Sequence, residues 1–242
     1  MMKQMGLGGL CALLMVAAPT EMPEFGQMVT AMVVEDALLY NENGGAGGVC
    51  GEVKVGETVE IVEDRSCLWY SVAHTVDGRR GWMEAEALEI PRDTEAKQEK
   101  LSAAVLEGYV NGRGIASQTG HLLFVDLERQ WTYVFVGEAG RWQMLRSLRC
   151  ATGKNASPTK RGLFACETRG EWFYSERLQS GARYWVRFDG PYLFHSLAMN
   201  ENGEVIDFTL GERVSSGCVR LAVADARWLY GSVPDGTAVL VE

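Results

Sequence analysis

The chain reads Val214-Ser215-Ser216-Gly217-Cys218-Val219-Arg220-Leu221 near its C-terminal end. Cys218 follows a turn of small residues and precedes an apolar run, for which we expect a helix. Gly217 allows a sharp backbone turn in which successive N–H groups converge beside the thiol. Such N–H groups lower the pKa of a thiol and stabilise the oxyanion of acyl transfer, so the stretch predicts a cysteine nucleophile. The alternative is a buried, inert thiol.

A histidine upstream provides a candidate partner for this cysteine. His195 ends the apolar, strand-like segment 191–194, and the backbone carbonyl of Ser196 can hold its imidazole ring. A thiol and an imidazole within reach of each other suffice for acyl transfer through a covalent thioester. A histidine at a strand end is often structural, but one hairpin can close the distance from His195 to Cys218. The two residues are therefore the candidate catalytic pair.

The composition excludes several classes of protein. The chain has 242 residues, of which 47% are apolar and 23% charged, as expected for one large folded domain or two small ones. The net charge of −9 and the dispersed basic residues argue against nucleic-acid binding, which needs clustered Lys and Arg. The six cysteines form no Cys-x-x-Cys pair, so the sequence predicts no metal site.

The N-terminus is typical of an exported protein. Lys3 precedes an apolar run over residues 7–18, which is shorter than the roughly 20 residues of a transmembrane helix. We therefore predict a signal peptide over residues 1–20 and membrane contact only through this segment if it stays uncleaved. An uncleaved signal anchor or a buried core helix is the alternative.

Five cysteines follow the predicted signal peptide, and an oxidising compartment would allow them to pair. Pairing Cys50 with Cys67 and Cys150 with Cys166 would leave Cys218 as the one free thiol. The alternative is that all five are reduced.

Residues 27–90 form a predicted small all-β domain with short strands and Gly-rich turns. The segments 51–59, 69–72 and 81–83 resemble a bacterial SH3-like domain. The resemblance implies a module that targets the cell wall or presents substrate, and a simple spacer is the alternative. Residues 91–120 are charged and lack the β pattern at their start, which predicts a linker with a short helix.

Residues 121–242 are predicted to form a second, β-rich domain. The runs 122–126 and 131–136 flank a polar turn and predict a hairpin, and residues 223–230 fit a C-terminal helix with its apolar side chains on one face. Residues 237–241 predict a last strand. The fold class is therefore mainly β, with a small barrel followed by a larger β-rich domain.

Several motifs of this second domain resemble the catalytic domain of the L,D-transpeptidases, the YkuD family. They are Thr152-Gly153-Lys154, Pro158-Thr159-Lys160-Arg161-Gly162, His195-Ser196, the segment 210–221, the segment 225–230 and Pro234-Asp235-Gly236-Thr237. The resemblance covers residues 122–241 and implies an exported, extracytoplasmic enzyme of the cell wall. It implies no metal and no organic cofactor, and we expect a monomer.

The resemblance also implies roles for individual residues. Cys218 would be the nucleophile and His195 the general base, which the Ser196 carbonyl would orient. The backbone N–H groups of Ser216, Gly217 and Cys218 would stabilise the oxyanion. Arg220, which the same motif includes, would shape the site or bind a substrate carboxylate.

The implied substrates are peptidoglycan stem peptides. Cys218 would attack the amide between the L-centre of the third residue and the terminal D-Ala of a tetrapeptide, releasing D-Ala. A side-chain amine of another stem's third residue would then resolve the thioester and give a 3→3 cross-link. Water as acceptor would make the protein an L,D-carboxypeptidase, and a non-catalytic wall-binding protein is the alternative from another class.

Two features depart from the family pattern. Ser216 stands where the family usually has histidine, although serine keeps the backbone N–H. The spacing from His195 to Cys218 is longer than usual, and the extra residues fit a hairpin tip at 199–203 that leaves its ends in place. Both features predict an altered rate or specificity.

Overall fold

The computed structural model of the chain describes residues 28–242. The predicted signal peptide at residues 1–20 lies outside the described residues, and its cleavage stays a prediction. Within the described range, no helix has the length and apolar character needed to cross a membrane. Strands dominate the secondary structure, and the mainly β fold class is confirmed.

The N-terminal part forms one antiparallel sheet with the strand order β3-β2-β6-β5-β4-β1-β7. Its strands are β1 (Thr30–Val33), β2 (Ala37–Tyr40), β3 (Val49–Val53), β4 (Thr58–Arg65), β5 (Trp69–His74), β6 (Arg80–Glu84) and β7 (Leu88–Glu89). Buried and exposed side chains alternate along β1. Its buried residues, Ala31 and Val33, pack in one core with Tyr70 and Met83. The identification of this unit as SH3-like stays a prediction.

The predicted linker contains an extended segment and then a helix. Residues 91–102 have no regular structure, and the Lys97 N–H donates to the Glu128 carbonyl at 3.0 Å. The helix α1 (Ala103–Gly112) begins after Ser102, whose side chain caps it by accepting from the Val105 N–H. The extended segment is thus fastened to the C-terminal part of the chain.

The C-terminal part forms a sheet of twelve strands and a second α-helix. The elements are β8 (His121–Asp126), β9 (Trp131–Val136), β10 (Gln143–Gly153), β11 (Gly162–Ala165), β12 (Arg169–Ser175), β13 (Ser180–Asp189), β14 (Tyr192–His195), β15 (Ala198–Met199), β16 (Val205–Asp207), β17 (Arg213–Ser215), β18 (Val219–Leu221), α2 (Val223–Ser232) and β19 (Ala238–Val241). The main path runs β11-β19-β8-β9-β10-β18-β14-β13-β15-β16, while β12 pairs with β13 and β17 with β10. The predicted β8–β9 hairpin, the C-terminal helix and the last strand are confirmed.

The two helices cover opposite faces of this sheet, which explains why β8 is apolar throughout. Leu122 and Phe124 pack in a cluster with side chains of α1. Leu123 and Val125 point the other way and pack in a cluster with side chains of α2. A strand buried on both faces has a continuous apolar run in place of an alternating pattern.

The pairing of β14 with β18 places the candidate catalytic residues side by side. The strands run parallel, with Phe194 opposite Val219 and His195 opposite Arg220. Cys218 directly precedes β18, two positions back from Arg220 in this register. At ~3.3 Å per residue the backbones of His195 and Cys218 are therefore offset by ~6.6 Å along the strands.

The apolar run after Cys218 is a strand, so our expectation of a helix at this point is wrong. Val219, Arg220 and Leu221 are buried, and β18 lies between β10 and β14 in the sheet. The sheet takes up the backbone hydrogen bonds of these residues, and the helix begins only at Val223. The extra residues between His195 and Cys218 form the β15–β16 hairpin, as predicted.

The predicted disulfides are not formed, because all five cysteines of the described residues are free thiols. Cys50 lies in β3, and Cys67 lies in the turn between β4 and β5. Strands β2 and β6 separate β3 from β5, the nearer of these two strands. Cys150 lies in β10 and Cys166 just after β11, with β19, β8 and β9 between the two strands. A disulfide requires Cα atoms within about 7 Å, so non-adjacent strands of one sheet do not favour it.

Candidate active site

A cavity of about 350 Å³ lies beside the end of β14 and the start of β18, and we call it the cysteine cavity. It is lined by four of the six predicted site residues, namely His195, Ser216, Cys218 and Arg220. Ser196 is fully buried behind the cavity wall, and Gly217 lies within the turn that leads to the thiol. The fold therefore brings the predicted residues to one place.

The turn before Cys218 has a conformation that requires glycine. Gly217 has φ +99°, and a Cβ at this position would lie 2.8 Å from Cε1 of the buried Tyr192 ring. Ser215 fixes the same turn, because its Oγ donates a hydrogen bond to the Cys218 carbonyl at 2.6 Å. The backbone at the thiol is thus set by contacts on both sides.

We expect Gly217→Ala to destabilise the protein by about 2 kcal/mol or more, because it adds backbone strain and displaces a buried ring. Denaturant unfolding measures the loss of stability, and covalent labelling of Cys218 measures whether the thiol is still accessible at the turn. Gly140→Ala is the matched control, since Gly140 also has positive φ, +78°, but has no atoms within 4 Å of the added Cβ. A Gly217→Ala protein with the wild-type unfolding midpoint and full labelling would contradict the requirement for glycine.

The imidazole of His195 is held in one tautomer. Its Nδ1 lies 2.6 Å from the Ser196 carbonyl oxygen, which can only accept, so Nδ1 carries the proton and Nε2 carries the lone pair. Burial lowers the pKa of His195 to about 4, with a further decrease from the nearby Arg220 and an opposing effect of the Ser196 hydrogen bond. At neutral pH the ring is therefore an uncharged base.

The thiol of Cys218 is also uncharged at neutral pH. Burial raises its pKa to about 11, although a backbone hydrogen bond with Leu193 and the charge of Arg220 oppose the increase. Sγ lies 3.6 Å from the Pro191 carbonyl, to which it can donate. Our expectation of a lowered thiol pKa is wrong, because desolvation outweighs the Leu193 hydrogen bond and the charge of Arg220. If this pair acts as nucleophile and base, the thiol proton must pass to His195 during the reaction.

Arg220 is engaged within the protein. Its guanidinium group forms an ion pair with Asp207, and the side chain is buried. The Asp207 pKa is lowered to about 2, first by a backbone hydrogen bond from Thr209 and also by Arg220. Sequence reasoning missed Asp207, which lies 13 residues upstream in the β15–β16 hairpin. The predicted contact of Arg220 with a substrate carboxylate stays a prediction.

The hairpin between β12 and β13 forms a wall of the cysteine cavity that the sequence did not reveal. Phe173, Arg177 and Leu178 of this hairpin line the cavity. The Phe173 ring meets His195 edge-on, with 5.7 Å between ring centroids. The polar turn 175–178 between two aromatic-rich runs is a signal for a hairpin, but not for its position over the cysteine.

A second cavity of about 140 Å³, which we call the inter-sheet cavity, adjoins the first. Arg177, Pro191 and Ser216 line both cavities. Residues 64–67, at the end of β4 and in the turn that follows it in the N-terminal sheet, form its opposite wall. Ser216 is exposed where the two cavities meet, so the position at which the family usually has histidine faces open space here.

Comparison with known proteins relates the C-terminal part of the chain to one family. The family model of the L,D-transpeptidase catalytic domain (YkuD) matches residues 120–241. YciB of Bacillus subtilis, whose name places it among the L,D-transpeptidases, is 35% identical over 122 residues. This match covers 48% of the present chain and 63% of YciB. The chain therefore spans less than two thirds of the length of this relative.

The chain is also similar to solved structures. A fused Zn-dependent amidase/peptidase/peptidoglycan-binding domain-containing protein from Clostridium acetobutylicum is 31% identical, with a TM-score of 0.50, over 58% of this chain and 59% of that one. An L,D-transpeptidase from Stackebrandtia nassauensis is 20% identical with a TM-score of 0.42, over 59% and 67% of the two chains. Since the family model matches residues 120–241, which is half of the chain, the protein belongs to the L,D-transpeptidase (YkuD) family.

Proposed function

We propose that the protein is a peptidoglycan L,D-transpeptidase that forms 3→3 cross-links through a thioester on Cys218. The observation that carries this proposal is the pairing of β14 with β18, which places Cys218 and His195 in one cavity with the lone pair of His195 on Nε2. Membership in the family supports the substrate class, because peptidoglycan stem peptides are what such enzymes act on.

Acylation would begin from a neutral thiol and a neutral imidazole. Sγ of Cys218 attacks the carbonyl of the amide that joins the L-centre of the third residue to D-Ala, and the thiol proton passes to Nε2 of His195. Backbone N–H groups of the 216–218 turn would stabilise the tetrahedral oxyanion. The imidazolium then returns the proton to the leaving nitrogen, the C–N bond breaks, and D-Ala leaves.

In the transfer step the amine would be the nucleophile and the Cys218 thiol the leaving group. The neutral side-chain amine of another stem's third residue attacks the thioester carbonyl, and His195 accepts its proton. The C–S bond breaks, the proton returns to Sγ, and an amide joins the two third residues. Because the Ser196 carbonyl binds Nδ1, the same Nε2 serves in both half-reactions without rotation of the ring.

The N-terminal unit would present substrate to this site as an SH3-like module. It contacts the catalytic part through the Tyr70 hydroxyl, which donates to the Ala156 carbonyl at 2.6 Å, and through Asp64, which accepts from the Ser157 hydroxyl at 2.8 Å. These contacts hold its 64–67 segment, the end of β4 and the turn after it, against the inter-sheet cavity. A spacer would not need a turn that forms one wall of a cavity beside Ser216.

The location of the protein follows from the same substrate. Peptidoglycan lies outside the cytoplasmic membrane, so we propose an extracytoplasmic enzyme that is exported through its N-terminal signal. We also propose that it acts as a monomer, since one chain supplies the nucleophile, the base and the second cavity.

Incubation of the purified protein with a tetrapeptide muropeptide, followed by mass spectrometry of the products, tests the proposed reaction. Transfer predicts a dimer that has lost one D-Ala, joined between two third residues. A tripeptide and free D-Ala, with no cross-linked dimer, would identify a carboxypeptidase. No product and no covalent adduct with a carbapenem would identify a binding protein, and Cys218→Ala provides the background for each measurement.

A further inference from the structure

The cysteine cavity has an unusual balance of charge. Among its described lining residues the permanently charged side chains are Arg177 and Arg220, and no carboxylate side chain lines it. Arg220 is paired with Asp207, and His195 is uncharged at neutral pH. Among the described residues none neutralises the remaining cation of this cavity, and an anionic substrate group is the complement of such a site.

Arg177 is that cation. It is exposed at the tip of the β12–β13 hairpin. Within residues 28–242 its guanidinium group has no ion pair or side-chain hydrogen bond. The carboxylate of the adjacent Glu176 lies 3.5 Å from the Gln179 side-chain amide. The hairpin tip is closed by a hydrogen bond from the Leu178 N–H to the Ser175 carbonyl at 3.1 Å. An ordered turn thus carries Arg177 at the place where the two cavities meet.

We propose that Arg177 binds the terminal carboxylate of the donor tetrapeptide and thereby selects tetrapeptides over longer stems. The inference rests on the proposed function, because it takes the scissile amide to be the last amide of the donor. In such a donor a free carboxylate lies one residue beyond the reacting carbonyl. A planar guanidinium group binds a carboxylate through two parallel hydrogen bonds, whereas a pentapeptide has an uncharged amide at the same position.

This assignment separates two roles that one arginine was expected to fill. Arg220, buried and paired, holds the β15–β16 hairpin next to the strand of the nucleophile. Arg177 is exposed and has no ion-pair partner among the described residues. It contacts the terminal carboxylate, which leaves as part of D-Ala. A residue that binds the leaving part contributes to acylation but not to the later transfer step.

Three donors and three variants test the proposal. The first donor is the tetrapeptide, and the second is the tetrapeptide with a C-terminal amide. The third is a tetrapeptide whose third residue carries its side-chain carboxylate as an amide. The variants are Arg177→Gln, Arg177→Lys and the control Arg227→Gln, which removes an exposed arginine of α2 that lines neither cavity. The release of D-Ala, or of its amide, gives kcat and KM for each combination.

We expect the wild type to prefer the free terminal carboxylate by about tenfold to a hundredfold in kcat/KM, as is typical of a hydrogen-bonded charge pair. Arg177→Gln should lose this preference, mainly through KM, while its rate on the terminal amide stays unchanged. Arg177→Lys should recover part of the preference, and Arg227→Gln should match the wild type. Amidation of the third residue should not alter the effect of Arg177→Gln.

Other outcomes would overturn the assignment. Equal losses of Arg177→Gln on all donors would indicate a structural role for the arginine. A discrimination that follows the carboxylate of the third residue would assign Arg177 to a different group of the donor. Wild-type protein that releases D-Ala from no donor would refute the proposed function, and this inference with it.

Discussion

Replacing Cys218 with alanine is expected to abolish the covalent carbapenem adduct and to lower D-Ala release by at least about a thousandfold. The methyl group of alanine cannot form the thioester on which both half-reactions depend. The remaining N–H groups and the cavity can still bind substrate, so binding should survive the change. Intact mass after carbapenem treatment measures the adduct, and chromatography of D-Ala measures turnover.

Cys50→Ala is the matched control for this experiment. Cys50 is an exposed thiol in β3 that lines neither the cysteine cavity nor the inter-sheet cavity. We expect its adduct and turnover to equal those of the wild type. An undiminished adduct on Cys218→Ala, or an adduct lost in Cys50→Ala, would contradict the assignment of Cys218. Equal unfolding midpoints of both variants would exclude a general loss of fold.

The candidate catalytic pair could be identified from the sequence because its signals are local. A cysteine after glycine and a histidine at the end of an apolar run can both be read from a few residues. The parallel pairing of β14 with β18 brings the two residues together in the sheet. The alternation of apolar residues and the strand lengths do not specify which strands pair. The motif resemblance implied that the two residues act together, whereas the strand pairing and its register come from the structure.

The charge state of the pair could not be predicted, because it depends on burial and not on neighbours in sequence. The turn around Gly217 suggested a thiolate. In the structure the surroundings of Cys218 raise the pKa of its thiol to about 11, since desolvation disfavours the charged form. The same limitation applies to Arg220, whose partner Asp207 belongs to a hairpin with no recognisable link to the motif.

Cysteine parity misled for a related reason. An odd number of thiols in an exported protein suggests pairs with one thiol left over. The number of cysteines does not reveal how far apart they lie in the fold. Cys150 and Cys166 are both buried, and burial raises the pKa of each thiol to about 12. They lie in the same core as apolar residues, where cysteine behaves as a small hydrophobic side chain.

Replacing His195 with glutamine is expected to lower kcat by about 10²- to 10⁴-fold, because the variant loses the proposed general base while keeping a similar side-chain volume. The effect should be large at neutral pH, where Cys218 remains protonated without it. His121→Gln is the control, since His121 begins β8 and does not line the cysteine cavity. A His195→Gln protein with more than a tenth of the wild-type kcat would contradict the role of the base.

The pH dependence gives an independent test of the same residue. The pKa of His195 in the folded protein, about 4, means that the ring is a free base at any pH well above that value. The acid limb of kcat/KM should therefore lie near pH 4 and not near the ordinary histidine value of about 6.5. An acid limb at pH 6.5 or higher would show that the ring is charged in the resting enzyme.

Stability should report the same shift without any substrate. The unfolded chain protonates His195 near pH 6.5 and the folded chain only near pH 4, so the unfolded state binds more protons in this window. The free energy of unfolding should then fall as the pH decreases from 6.5 to 4, by up to about 3 kcal/mol more in the wild type than in His195→Gln. Denaturant unfolding of both proteins at pH 7 and pH 4.5 measures this difference. Equal losses in the two proteins would mean that the imidazole is not buried in its neutral form, and a neutral general base could then no longer be assigned to it.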